Sequence, residues 1–221
     1  LLKVFFASDE RKVLELRDGN RLEIDPAYHA PESLRVDRDA PRRIALIGTC
    51  LVESWQAEFS KYTRVDYFQS NNVMVLPRDM PHAPSEYGFQ IVQLRLRSLL
   101  PEARYLNLEY GDPASYEALF EEACENLARM LRNDLRWNIE HGLLSFVCNY
   151  FGPQQNLIGR LAPKSDLRNL GYFISKLNEQ IEKEVAAYSN AYVLDIDQLA
   201  SIYGKKYIVD DVIHVTTHEA P

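Results

Sequence analysis

Three places in this chain combine residue types that can carry out acyl transfer. The first is Gly48-Thr49-Cys50-Leu51, which follows an apolar run at 44–47 and precedes a helical stretch over 52–60. A side chain at a strand-to-helix turn sits beside free backbone N–H groups, which stabilise negative charge and lower a thiol pKa, favouring the nucleophilic thiolate. The second is Asn149, in the polar run Cys148-Asn149-Tyr150-Phe151-Gly152-Pro153-Gln154-Gln155-Asn156. Its side-chain amides can donate hydrogen bonds to an oxyanion. The third is Asp211-Val212-Ile213-His214, a carboxylate three residues before an imidazole. An Asp that holds the ring in one tautomer lets the ring act as base in acyl transfer. His218, four residues further on, competes for that role. Each signal alone is weak: an isolated Cys is usually a small buried hydrophobe, and Asp-x-x-His occurs by chance in many chains.

What gives these residues weight is the order of the elements around them. From Arg42 onward, short apolar runs at 44–47, 65–68, 91–96, 143–148 and 192–196 alternate with helical patterns. That alternation predicts repeated βαβ units, hence a flavodoxin-like three-layer α/β/α domain with a five-stranded, mostly parallel sheet. The clearest helix runs over 113–139: Asp112 can cap it, Pro113 suits its first turn, and Tyr116, Leu119, Phe120, Ala123, Leu127, Met130 and Leu131 form one apolar stripe. Gly142 ends it. A second helix over 169–188 carries Phe173, Ile174, Leu177, Ile181 and Val185 on one face. In open α/β sheets ligands bind beyond the carboxyl ends of the strands. Cys50 and Asn149 both fall just after predicted strands.

Upstream, β-prone runs at 13–17 and 21–25 flank Asp18-Gly19-Asn20, whose residues tolerate the positive φ of a hairpin turn. The stretch 26–43 is rich in Pro and mixed charge and reads as a connector. The expected organisation is an N-terminal hairpin and connector over 1–41, then the α/β domain over 42–221. The chain lacks an initiator Met and stops abruptly at Pro221, which reads as a domain cut from a longer protein with a fusion partner.

Composition narrows the function classes. The chain has 221 residues, of which 46% are hydrophobic, enough for a sizeable core, and a formal net charge of -7. No sequence-wide basic field is available for nucleic acid or anionic membranes. No apolar run approaches the roughly 20 residues of a membrane span. Cys50, Cys124 and Cys148 are odd in number and lack metal or redox spacing, which fits a reducing, cytoplasmic setting. No metal or cofactor is expected: a metal site built on Asp210, Asp211, His214 and His218 needs more ligands than this cluster obviously supplies. Arg160, Lys164 and Arg168 lie between the fourth strand and a helix start. They could hold a phosphate or phosphopantetheine arm, or face Asp166 and other carboxylates in a solvated loop.

In order and spacing, these motifs resemble the SGNH, or GDSL, hydrolase superfamily. Gly48-Thr49-Cys50-Leu51 matches its Gly-Asp-Ser-Leu turn, Asn149 its Asn block and Asp211 with His214 its Asp-x-x-His. The chain also resembles SGNH-like domains of bacterial polysaccharide and polyketide clusters, including the N-terminal part of FkbH-like proteins. That likeness rests on Pro153-Gln154-Gln155-Asn156, Gly159-Arg160-Leu161, Asp166-Leu167-Arg168-Asn169 and Tyr192-Val193-Leu194-Asp195-Ile196-Asp197. The resemblance implies an SGNH fold and an esterase or acyltransferase acting on a small-molecule, glycan or acyl-carrier substrate. Cys50 would be the nucleophile, His214 the base, Asp211 its orienter and Asn149 an oxyanion donor; Thr49, Gln154, Asn156, Arg160, Arg168 and His218 would contact substrate. Thr49 stands where the family has Asp and Cys50 where it has Ser, and no Gly is in reach of the third strand's end. A non-hydrolytic SGNH-fold binding or accessory domain is the alternative.

Overall fold

The computed structural model describes residues 3–6, 12–15, 21–24, 43–49, 52–70, 76–154, 158–159 and 161–207. The chain divides into two units, Leu1–Asp39 and Ala40–Pro221. In the first, β1 (Lys3–Phe6), β2 (Lys12–Glu15) and β3 (Arg21–Ile24) form an antiparallel sheet in the order β1-β2-β3. The expected hairpin is present as β2 and β3, with Lys12 opposite Ile24 and Glu15 opposite Arg21. The sequence reading missed β1, which pairs Lys3 with Glu15 and Phe6 with Lys12. β1 reads Lys3-Val4-Phe5-Phe6, which has no apolar–polar alternation to register. The Asp18-Gly19-Asn20 turn lies outside the described residues.

The second unit is built on Ile44-Ala45-Leu46-Ile47, apolar at every position, as suits a strand covered on both faces. These residues form the centre of β4 (Arg43–Gly48), and all four are fully buried. With β5 (Arg64–Gln69), β6 (Phe89–Val92), β7 (Ser145–Cys148) and β8 (Ala191–Leu194) they make an all-parallel sheet ordered β5-β4-β6-β7-β8. Counted within this unit the order is 2-1-3-4-5, the flavodoxin-like doubly wound arrangement.

Seven α-helices are present among the described residues: α1 (Glu53–Phe59), α2 (Leu96–Leu99), α3 (Glu102–Leu106), α4 (Pro113–Asp134), α5 (Arg136–His141), α6 (Leu170–Val185) and α7 (Ile196–Tyr203). Alternation along β4 sorts its side chains to opposite faces. Ala45 and Ile47 join Val92 and Val147 against Leu119, Leu127 and Leu131 of α4 and Phe173, Leu177 and Ile181 of α6. Ile44 and Leu46 join Ile91 and Cys148 against Val52, Trp55 and Phe59 around α1 and Ile196 of α7. Two cores on the two faces of one sheet make a three-layer α/β/α unit. Each fully buried Leu or Phe in them contributes roughly 1.5–3 kcal/mol by leaving water. No helix among the described residues is long and apolar enough to cross a membrane.

Several expected boundaries shift. The strand read over 91–96 ends at Val92, and Leu96 opens α2. Gln93 makes the last ladder bond, to the Ile47 carbonyl at 2.8 Å, and Leu94 turns into the α4 side core instead. The strand read over 192–196 ends at Leu194, because the Asp195 carboxylate accepts the Gln198 N–H at 2.9 Å and caps α7. The helix read over 113–139 stops at Asp134 and resumes as α5 after Leu135. There Asp134 is drawn to Ser70, 2.7 Å away and 64 residues distant in sequence. Gly142, at φ 66°, closes α5 in the left-handed conformation that glycine adopts without a Cβ penalty. The helix read over 169–188 is α6, capped by Asn169 through the Gly171 N–H at 3.1 Å.

Candidate functional site

Because every strand of the larger sheet runs the same way, Gly48, Gln69, Val92, Cys148 and Leu194 end along one crest, where ligands bind in open α/β sheets. β4 and β7 are separated there by β6, so their ends lie two strand spacings, roughly 10 Å, apart. At the β4 end a Cβ on Gly48 would sit 2.5 Å from Val52 Cγ2 and 2.9 Å from the Gln93 carbonyl oxygen. Only glycine lets the turn pass this close to β6. Thr49 is buried, and its carbonyl accepts the Val52 N–H at 3.0 Å as the chain enters α1.

Gln93, which the sequence reading did not single out as a site residue, stands between these ends. Its main-chain N–H is used in the ladder bond to Ile47. Its side-chain Oε1 is buried without a hydrogen-bond partner among the described residues, 3.3 Å from the Gly48 Cβ position.

Asn149 follows β7 and is buried at 7% exposure. Its Nδ2 donates to Asp195 Oδ1 at 2.7 Å, and its Oδ1 accepts the Asp197 main-chain N–H at 3.2 Å. The next residues are tied down as tightly. Tyr150 exchanges two 2.9 Å bonds with the Asn178 carboxamide of α6. The Gly152 N–H donates to Asp197 Oδ1 at 2.6 Å, and Lys205 Nζ bridges Asp197 Oδ1 at 2.6 Å and the Gly152 carbonyl at 3.2 Å. Burial raises the Tyr150 phenol well above its usual range and pushes the Cys148 thiol up to about 12. Cys148 is a neutral, packed thiol.

Gln154 is exposed on the same loop. Further along, Arg168 makes a fork to Asp166, Nε to Oδ1 at 2.9 Å and Nη2 to Oδ2 at 2.6 Å, and lies 4.7 Å over the Tyr110 ring. Its Nη1 also reaches the Tyr110 carbonyl at 3.3 Å. The hydrogen bonds from Arg168 hold the Asp166 carboxyl below its usual range. Of the two arrangements left open for these cations, Arg168 adopts the one facing Asp166, and Lys164 is exposed.

The structure therefore brings Thr49 and Asn149 to one crest, with Gln154 on the loop beyond and Arg168 engaged in holding that loop. Cys50, Asn156, Arg160, Asp211, His214 and His218 lie outside the described residues. Asp195, Asp197, Asn178 and Lys205 were not singled out as site residues. Asp195 and Asp197 had a local signal in the 192–197 block quoted above; Asn178 and Lys205 had none. Among the described residues, no group of three or more His, Cys, Asp or Glu could hold a metal ion.

No family model matches the chain, and no curated protein does. A solved structure from Bacteroides fragilis, the N-terminal part of the protein BF1531 containing a phosphatase domain complexed with Mg, is similar at 15% sequence identity with a TM-score of 0.51. The match covers 78% of this chain and 45% of that one. The likeness is one of fold alone, and this chain spans less than half the length of that one.

Proposed function

We propose that the Ala40–Pro221 unit is an SGNH-like acyl hydrolase or acyltransferase acting on an ester or thioester of a carbohydrate or a carrier-bound acyl group. The observation that carries this reading is the 2-1-3-4-5 strand order, which sets the Gly48-Thr49 turn and Asn149 on one crest with a single strand between them. In the proposed reaction the Cys50 thiolate attacks the carbonyl carbon. A C–S bond forms, and the carbonyl π electrons move onto oxygen. The Asn149 side-chain N–H and the Cys50 main-chain N–H receive that oxyanion. Collapse of the intermediate re-forms the carbonyl and breaks its bond to the alcohol or thiol, which leaves with the proton that His214 or His218 took from the Cys50 thiol. Water or an acceptor hydroxyl, giving its proton to the same histidine, then attacks the acyl-enzyme and releases the Cys50 thiolate. Asp211 orients His214. In this reading Gln154, Asn156 and Arg160 contact the substrate, and Arg168 holds its part of the loop through Asp166 and Tyr110.

Gln93 weakens the oxyanion site relative to the resembled family, because its main-chain N–H is already used in the sheet. Losing one oxyanion donor costs on the order of 100-fold or more in rate. Activated substrates such as thioesters should therefore turn over best. Cys50→Ala is expected to abolish thioester turnover, and iodoacetamide at pH 7 is expected to label Cys50 ahead of Cys148. Turnover that survives Cys50→Ala overturns the reading.

A second reading, a non-hydrolytic binding or accessory domain of a larger glycan or polyketide biosynthesis protein, is favoured by the solved neighbour, in which the matched fold makes up 45% of the chain. Binding of a glycan or an acyl-carrier protein without Cys50-dependent turnover is its expected signature.

A further inference from the structure

We propose that Asp195 is a positioning residue that clamps the Asn149 carboxamide in a single orientation; the inference rests on the reading of Asn149 as an oxyanion donor. The carboxamide is gripped at both ends. Its nitrogen donates to the Asp195 carboxylate at 2.7 Å, and its oxygen accepts the Asp197 N–H at 3.2 Å. Rotating the group by half a turn would set oxygen against carboxylate oxygen and nitrogen against an N–H. Both bonds would be lost at once, one of them charge-assisted. One Nδ2 proton is held by Asp195, which leaves the other as the group offered to a bound carbonyl oxygen. Without the clamp the carboxamide could present its oxygen instead, which repels an oxyanion. Donors fixed beforehand need no reorganisation as charge develops, which is where such sites derive their effect.

The clamp is itself anchored. Asp197 accepts the Gly152 N–H and the Lys205 ammonium on one carboxylate oxygen, so the residue whose N–H holds Asn149 is fastened to the same loop that carries Asn149. Asp195 also caps α7 through Gln198. A merely structural role would end with that cap, and the two roles separate by side-chain reach. Serine caps a helix about as well as aspartate but is too short to hold both Gln198 and Asn149. Asparagine keeps an acceptor oxygen for both.

The test uses the full 221-residue chain, thioester kinetics and NMR of the Asn149 side-chain amide, assigned by its loss in Asn149→Ala. In Asp195→Ser the thermal midpoint should hold, kcat should fall about 10- to 100-fold for a misplaced donor, and KM should change little. Asp195→Asn should restore most of kcat. In the wild type one Asn149 amide proton should be shifted downfield and exchange slowly, and Asp195→Ser should erase that asymmetry. Wild-type kcat and unchanged Asn149 signals in Asp195→Ser overturn the clamp while leaving the acyl reading intact. If the wild type shows no Cys50-dependent turnover, the acyl reading fails and the amide signals alone judge the clamp. If Asp195→Ser does not fold, two equivalent, fast-exchanging amide protons in the wild type overturn it.

Discussion

At the end of the parallel sheet where β4 and β5 begin, Asp66 uses both carboxylate oxygens, one on the Arg43 guanidinium at 2.7 Å and the other on the Tyr87 hydroxyl at 2.5 Å. His82 Nε2 lies 3.9 Å from the second oxygen. Burial and the bond to Asp66 raise the Tyr87 phenol well above its usual range, so it remains a donor at any physiological pH. At the opposite end, Gln93 Oε1 has no partner among the described residues, and Asn149 has one Nδ2 proton beyond the one given to Asp195. The first end is a closed cluster in which each charge is answered. The second is held rigidly from behind while leaving hydrogen-bonding capacity unused, which is what a polar site built for a ligand requires.

If that contrast is right, substitutions at the two ends should separate rate from stability. Asn149→Ala should have the larger effect, about 100-fold or more on thioester turnover, with only a small shift in the urea midpoint. Asp66→Ala should do the reverse. It strands a part-buried guanidinium and a phenol and should cost about 2–3 kcal/mol by urea unfolding, with kcat retained. Equal loss of rate and stability at both ends would erase the distinction.

A smaller effect is expected at Asp134, which sits beside the crest rather than at either end. It is buried at 1% exposure and accepts Ser70 Oγ at 2.7 Å and Asn133 Nδ2 at 2.6 Å on the same oxygen. Burial outweighs these bonds and raises its carboxyl above the ordinary value. A raised folded pKa means that the stability Asp134 contributes is complete below about pH 4, the unfolded carboxyl value, and is lost as pH rises through the folded value. Asp134→Asn keeps the shape and the acceptor oxygen while removing that dependence. Near pH 7 it should be more stable than the wild type, and the two should converge toward pH 4. Parallel urea midpoints across that range would show that the carboxylate is ionised in the fold without penalty.

Which parts of this arrangement could be read from sequence follows from how far each cause reaches along the chain. The α4 stripe from Tyr116 to Leu131 was readable because helical periodicity is local, and so were the centres of β4, β5, β7 and β8. Element ends were less so. The break at Leu135 adjoins the long-range bond from Ser70 to Asp134, and β6 ends beside the last ladder bond, from Gln93 to Ile47. At the site, Thr49 and Asn149 could be placed just past strand ends from their neighbours alone. Gln93 was not picked out, because its contacts are long-range: its main-chain N–H is committed to a carbonyl of β4, and its side-chain oxygen lies 3.3 Å from where a Cβ on Gly48 would stand. The clamp on Asn149 was unreadable as well: its partners are 46 and 48 residues away, and the 192–197 block that holds them does not by itself say what they bind.

By itself, then, the sequence determined the alternation of strand and helix, the apolar stripes that cover the sheet, and the placement of the Gly48-Thr49 turn and an Asn-bearing loop immediately after strands. These are consequences of periodicity and turn chemistry, which act over a few residues. Only the tertiary structure decided that β4, β6 and β7 are neighbours in that order, and that Asn149 faces Asp195 and Asp197 in a fixed orientation. Both depend on hydrogen bonds and burial between segments far apart in the chain, where each partner's choice is settled by the packing of the whole unit rather than by the residues beside it.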